Sequence, residues 1–148
     1  MSKISVITTV YNAQNDILNA VKSVINQSFE NFEYLIIDDG STDNTCNLLK
    51  TIEDKRVKIY KIGKVGRAKA LNFGLKKAKG DYISILDADD TFHFRKLELQ
   101  LNKILSLNHV KIISCNSSIL NEQGVQIGFC ETKKFHQDIL FQLLKMKP

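Results

Sequence analysis

Short apolar runs rich in β-branched residues alternate along this chain with apolar residues spaced three and four apart, the periods of strands and helices. The first run, Ile4–Val10, predicts a strand; Ile17, Leu18, Val21, Val24 and Ile25 then repeat at helical spacing behind the capping candidates Asn15 and Asp16. Glu33–Asp38 predicts the second strand. Ser41, Thr42 and Asp43 open a helix striped by Leu48, Leu49 and Ile52, and Val57–Lys61 predicts the third strand. After a loop holding Gly63 and Gly66, a helix over 67–79 should bury Leu71, Leu75 and Ala78, stop at a glycine cap on Gly80, and hand over to a strand at Tyr82–Leu86. Beyond it, Leu97, Leu101, Ile104 and Leu105 mark a helix and Val110–Cys115 a strand. Asn121–Gly124 forms a turn into Val125–Cys130, and a last helix from Phe135 carries Ile139, Leu140, Leu143 and Leu144. Strands alternating with helices place the chain in the α/β class, a mostly parallel sheet flanked by helices. No repeat or linker interrupts residues 1–148, which read as a single domain.

Composition narrows the class without changing it. The 148 residues are 43% hydrophobic and 25% charged, enough apolar material for one soluble core. The apolar opening run lacks a basic flank and a cleavage site and reads as a strand, not a leader. No stretch approaches the roughly 18 apolar residues of a membrane span, so the expected compartment is the cytoplasm, with attachment at the membrane surface as the alternative. Cys46, Cys115 and Cys130 have neither disulfide nor zinc-site spacing and are expected to be buried small side chains. The net charge of +5 comes from lysines such as Lys76, Lys77, Lys79, Lys133 and Lys134, which read as solvated faces. Without aromatics interleaved among them, they exclude nucleic acid as a partner. The apolar face of the last helix needs a cover, either the sheet or a second copy of the chain.

Candidate chemistry gathers where the strands end. In an open parallel sheet, ligands bind outside the carboxyl ends of the strands, where the loops converge. Those ends carry Thr8–Asn12, Asp38–Asp43, Lys61–Arg67 and Asp87–Asp90. Asp38, Asp39, Asp43, Asp87, Asp89 and Asp90 on one edge would repel one another unless a cation or hydrogen-bond donors offset them. A divalent cation that takes a few carboxylates plus substrate phosphates suits such an edge, and Lys61, Lys64 and Arg67 could face the same diphosphate. Each cluster alone has an ordinary reading: Asp38–Ser41 as a turn with a helix cap, Asp87–Asp90 as a strand-end turn. It is their conjunction that points to a site. His93, His109 and His136 lack partners at ligand spacing and read as structural, while Phe92 and Phe94 read as core staples.

The segments V-I-T-T-V-Y-N at Val6–Asn12, I-I-D-D-G-S-T-D-N-T at Ile36–Thr45 and I-L-D-A-D-D at Ile85–Asp90 resemble, in this order and spacing, the family-2 glycosyltransferases of the Rossmann-like GT-A fold. Gly66–Leu75 and Ala78–Ile83 are similar to the stretch that leads into the family's D-x-D. The resemblance runs from about residue 3 to residue 105. It implies that Thr9, Tyr11 and Asp39 contact the nucleoside, with Asp39 accepting the ring N–H of the base. A carboxylate that can only accept selects uracil, thymine or guanine, and uracil is the commonest in the family. The resemblance further implies Asp89 as ligand to Mn2+ or Mg2+, Asp87 beside the ribose or donor sugar, and Arg67 bordering the nucleotide. Thr9 and Phe94 stand where the family usually has proline. The family's catalytic base would lie beyond Pro148, on an acceptor side expected to be truncated here. Glu131 and Asp138 lack the pattern that surrounds it.

The resulting expectation is metal-dependent inverting transfer of a sugar from a nucleotide-sugar, with UDP as the nucleotide, to a hydroxyl of a saccharide or lipid-linked acceptor. Two other functions stay open at this point. One is a nucleotide-sugar-binding module without turnover. The other is a haloacid-dehalogenase-like phosphatase with Asp87 as nucleophile, since Asp87-Ala88-Asp89-Asp90-Thr91 also fits a D-x-D-x-T strand end. No Gly-x-Gly-x-x-Gly or Gly-Lys-Ser occurs, which leaves dinucleotide and P-loop chemistry without support.

Overall fold

The computed structural model describes residues 3–107, 112–121 and 123–131. The chain divides into two compact units, Met1–Asn102 and Lys103–Pro148. The first alternates β1 (Ile4–Val10), α1 (Ile17–Ile25), β2 (Phe32–Asp38), α2 (Thr45–Lys50), β3 (Val57–Lys61), α3 (Arg67–Lys77) and β4 (Tyr82–Ile85), then enters α4 (Lys96–Leu105). The four strands form one parallel sheet in the order β3-β2-β1-β4, with Val10 opposite Asp38 and Asp38 opposite Lys61. A parallel sheet points every strand's carboxyl end the same way, so the four polar clusters emerge along one edge.

Central strands covered on both faces are buried along their length, and β1 and β2 are, with Thr9 alone half-buried. Val6, Val10, Tyr34 and Ile36 face one core together with Ile17, Val21 and Val24 of α1, Leu49 of α2 and Leu97 of α4. Ile7, Leu35 and Ile37, one residue out of phase, face a smaller core around Ala70 of α3. The side of α3 that meets the sheet differs from the expected leucine stripe. Ala70 and Gly74 are buried, whereas Leu71 is half-buried and Leu75 is 41% exposed. A side chain at Gly74 would stand 2.7 Å from the Ile7 methyl, so the helix approaches the strands through its small residues.

Gly80 is not the helix cap expected of it, because α3 ends at Lys77 with Ala78 already extended. Its glycine serves a close approach instead: a Cβ there would meet the Ser5 nitrogen at 2.6 Å and the Lys3 carbonyl at 2.8 Å. Beside it lies a buried polar knot. Glu33 accepts from the Ser5 hydroxyl (2.8 Å), the Lys79 amide (2.6 Å) and the Lys58 ammonium (2.9 Å), and the Gly80 amide donates to Ser5. Burial raises the pKa of Glu33, but these donors, Lys58 foremost, outweigh it and bring the carboxyl down to about 2.

The second unit holds an antiparallel hairpin, β5 (Ser117–Leu120) with β6 (Gln126–Cys130). The turn is where the sequence puts it: the Asn121 carboxamide accepts from the amides of Gln123 and Val125, and Gly124 has φ +75°. That turn pairs the residues immediately before Asn121, so the strand expected at Val110–Cys115 is displaced to 117–120. Residues 112–116 are irregular, and 108–111 lie outside the described residues. Cys115 and Cys130 are exposed and Cys46 is half-buried, contrary to the expectation of three buried thiols. The helix expected from Phe135, with its Asp138, also lies outside the described residues, as do His109 and His136. Among the described residues no helix is long and apolar enough to cross a membrane.

Candidate functional site

A cleft of about 430 Å3 opens at the carboxyl ends of β1, β2 and β4 and the start of α3. All six residues nominated from sequence line it: Thr9, Tyr11, Asp39, Arg67, Asp87 and Asp89. Its shape begins with the loop after β1. Asn12 adopts a left-handed backbone (φ +51°), rare outside glycine but tolerated by asparagine, and this turns its carboxamide toward the loop after β2. There it accepts the amides of Thr42 (2.8 Å) and Asp43 (3.3 Å) while its own amide donates to Ser41 Oγ (3.0 Å). Ala13 donates to Thr45 Oγ1 and Gln14 to Asp43, so hydrogen bonds sew the two loops together.

The paired acids at the end of β2 do different work. Asp38 turns inward, fully buried, and accepts from the Ser41 amide (2.8 Å) and the Cys46 thiol (3.0 Å). Burial raises its pKa, yet the Ser41 and Cys46 bonds and the charge of Lys61 outweigh that and hold it below the usual carboxylate range. Asp39 lines the cleft at only 6% exposure, and its carboxylate accepts the Val65 amide at 2.7 Å and the Gly66 amide at 3.0 and 3.2 Å. Gly66 has φ +91° and ψ 151°, a conformation essentially restricted to glycine, which lets the chain turn both amides onto Asp39 and still begin α3 at Arg67.

The segment Lys64–Arg67 thereby reaches all three other loops. Lys64 donates to the Tyr11 hydroxyl at 2.7 Å, Val65 and Gly66 bind Asp39, and the Arg67 guanidinium pairs with the Asp87 carboxylate. The hydrogen bond from Lys64 lowers the pKa of the Tyr11 phenol.

At the end of β4, Leu86 is buried and donates to the Ile7 carbonyl; beyond it Asp87 is half-buried, while Asp89 and Asp90 are more exposed, Asp90 with its carboxyl partly shielded. Partial burial, and then the charges of Asp89 and Asp87, push the Asp90 carboxyl up. The next residues are anchored to α1 and the turn after it: the Phe92 amide donates to Ser23, and Gln27 donates to the His93 carbonyl and accepts the Leu97 amide. Phe92 packs on the main core as expected. Phe94 does not; it is 59% exposed, because the bond from the Ser28 amide to its carbonyl holds the backbone and leaves the ring outside. Sequence reading missed the polar loop ties of Asn12, Gln14 and Gln27, since a tie between loops has no periodic signature. Among the described residues no group of three or more His, Cys, Asp or Glu is placed to enclose a metal.

The family model for glycosyl transferase family 2 matches residues 5–138, spanning the sheet, the cleft and the hairpin. The chain belongs to that family. A glycosyltransferase of Haemophilus influenzae, itself uncharacterized, is 42% identical over 137 residues, covering 90% of this chain and 54% of the relative. The Escherichia coli UDP-Glc:alpha-D-GlcNAc-diphosphoundecaprenol beta-1,3-glucosyltransferase WfgD is 35% identical over 135 residues, 88% of this chain and 52% of WfgD. The chain thus spans about half the length of these curated relatives. Among solved structures, the mannosyltransferase PcManGT of Pyrobaculum calidifontis, in complex with GDP-Man and Mn2+, superposes with a TM-score of 0.65 at 24% identity, over 81% of this chain and 36% of that one. That likeness establishes the Rossmann-like GT-A fold. Membership of a transferase family also removes the phosphatase reading of Asp87.

Proposed function

We propose that this family-2 transferase domain binds a UDP-sugar together with a divalent cation and presents the anomeric carbon for inverting transfer to an acceptor hydroxyl. The observation that carries the reading is the placement of Asp39 in one cleft with Asp87 and Asp89. Asp39 is 6% exposed, and a carboxylate already bound by two backbone amides is fixed as an acceptor, suited to the ring N–H of uracil. Thr9 and Tyr11 border the nucleoside, and Arg67 and Asp87 the ribose and diphosphate.

Asp89 is the protein ligand of the cation in this reading, with Asp87 and Asp90 close by in sequence. A carboxylate or two at a strand end fits Mn2+ or Mg2+, which take few protein oxygens and complete their shell with phosphate and water. The cation supplies positive charge that stabilises the departing diphosphate. The donor named in WfgD is UDP-Glc, in keeping with uridine here, and its diphosphoundecaprenol acceptor makes a lipid-linked saccharide the acceptor class to try first.

Titration calorimetry with UDP and CDP tests the base assignment. UDP is expected to bind at least about tenfold more tightly, because cytosine offers Asp39 no ring N–H and leaves a buried carboxylate short of a donor. Asp39→Ala should weaken UDP by about 10–100-fold, the loss of a charged hydrogen bond, and close the gap to CDP. Equal affinities in the unaltered protein, or a variant that still discriminates, would contradict the assignment.

A further inference from the structure

Tyr11 and Asp39, the two side chains proposed to meet the nucleobase, are held by the same short piece of chain. The amides of Val65 and Gly66 bind the Asp39 carboxylate, and the preceding residue, Lys64, sends its ammonium to the Tyr11 hydroxyl at 2.7 Å. The ammonium also lies 3.9 Å from the Tyr11 ring centroid, so it rests against the ring while bonding its edge. The Lys64 backbone is itself fixed. Gly40, at φ +78°, packs so close that a Cβ there would stand 3.0 Å from the Lys64 nitrogen. Tyr11 is 40% exposed at the cleft rim, where the Thr42 and Asn12 side chains also reach its hydroxyl, but Lys64 makes the largest contribution and the only one that also lies over the ring.

We propose that Lys64 is a positioning residue for the nucleobase: it holds the Tyr11 ring in the cleft that Asp39 also lines, and so sets affinity through Tyr11 without contacting the diphosphate. The inference rests on the donor reading above. A lysine beside a diphosphate site is ordinarily read as a phosphate contact, and this geometry separates the two roles because the ammonium is already committed to the phenol. The lowered Tyr11 pKa agrees, since an ammonium hydrogen-bonded to the hydroxyl favours the phenolate.

The test replaces Lys64, an exposed residue, by methionine and uses four readouts. Near-ultraviolet absorbance titration, with Tyr11→Phe identifying the Tyr11 signal, should show that phenol ionising below the ordinary tyrosine range in the unaltered protein and back within it in Lys64→Met. Calorimetry should show UDP weakened about tenfold by Lys64→Met, because a Tyr11 ring no longer held in place must be ordered when the base binds. Affinity for inorganic diphosphate should be unchanged. In a Tyr11→Ala background, Lys64→Met should have no further effect on UDP. An unmoved Tyr11 titration, unchanged UDP affinity, equal loss of UDP and inorganic diphosphate, or an undiminished loss in the Tyr11→Ala background would each overturn the inference. Failure of the unaltered protein to bind UDP at all would remove the donor reading with it, whereas tight UDP binding unaffected by Lys64→Met removes this inference alone.

Discussion

The Arg67 guanidinium is paired with the Asp87 carboxylate, joining the first residue of α3 to the first acid beyond β4. Their side chains are 67% and 47% exposed, so the pair contributes little to stability and is free to exchange partners when a diphosphate enters. Arg67→Met should therefore weaken UDP by about 10–100-fold through loss of charge-assisted bonds, with the melting temperature nearly unchanged. A variant that melts much earlier while binding UDP normally would show the pair to be structural.

Glu33 gives the fold a defined acid sensitivity. Its carboxyl is depressed from 4.5 to about 2 in the folded protein, so its stabilisation is complete above pH 4.5 and is lost as pH falls from there toward 2. That depression corresponds to at most about 3 kcal/mol, less in practice because the Lys58 partner is partly solvated. Denaturant melts at successive pH values should show the unaltered protein losing stability across this window. Glu33→Gln should be less stable at neutral pH and flatter across it. An equally steep acid response in the variant would assign the sensitivity elsewhere.

Much of this architecture was legible because burial on both faces leaves a plain record. The runs of β1 and β2 predicted a parallel sheet with the polar strand ends along one edge, and Thr9, Tyr11, Asp39, Arg67, Asp87 and Asp89, the candidates named there, line one cleft. Illegible features depend on partners distant in sequence. Leu75 belongs to an apolar stripe by spacing, yet Ala70 and Gly74 are what let α3 approach the sheet. The first strand of the hairpin was misplaced because the Asn121 turn fixes register more strongly than the apolar run at 110–115. Gly80 looked like a cap because a glycine often follows a helix; its real constraint, the Ser5 backbone, lies 75 residues away.

That constraint predicts its own phenotype. In Gly80→Ala the new methyl meets backbone atoms of Lys3, Ile4 and Ser5, which cannot move aside without disturbing β1. The loss should be about 1–3 kcal/mol, the usual penalty of overpacking, measured as a lower urea midpoint at unchanged slope. Gly63→Ala, where a Cβ meets nothing, is the control and should leave the midpoint in place.

The most direct test of the donor site is UDP binding measured calorimetrically in Mn2+ or Mg2+ and again in excess chelator. Asp39, Asp87 and Asp89 line one cleft, so a diphosphate entering without a cation adds negative charge to negative charge. The expected result is binding that falls by at least about 100-fold in chelator, and an Asp89→Ala protein whose residual binding no longer responds to metal. Equal affinity with and without chelator, or full metal dependence retained in Asp89→Ala, would contradict the account.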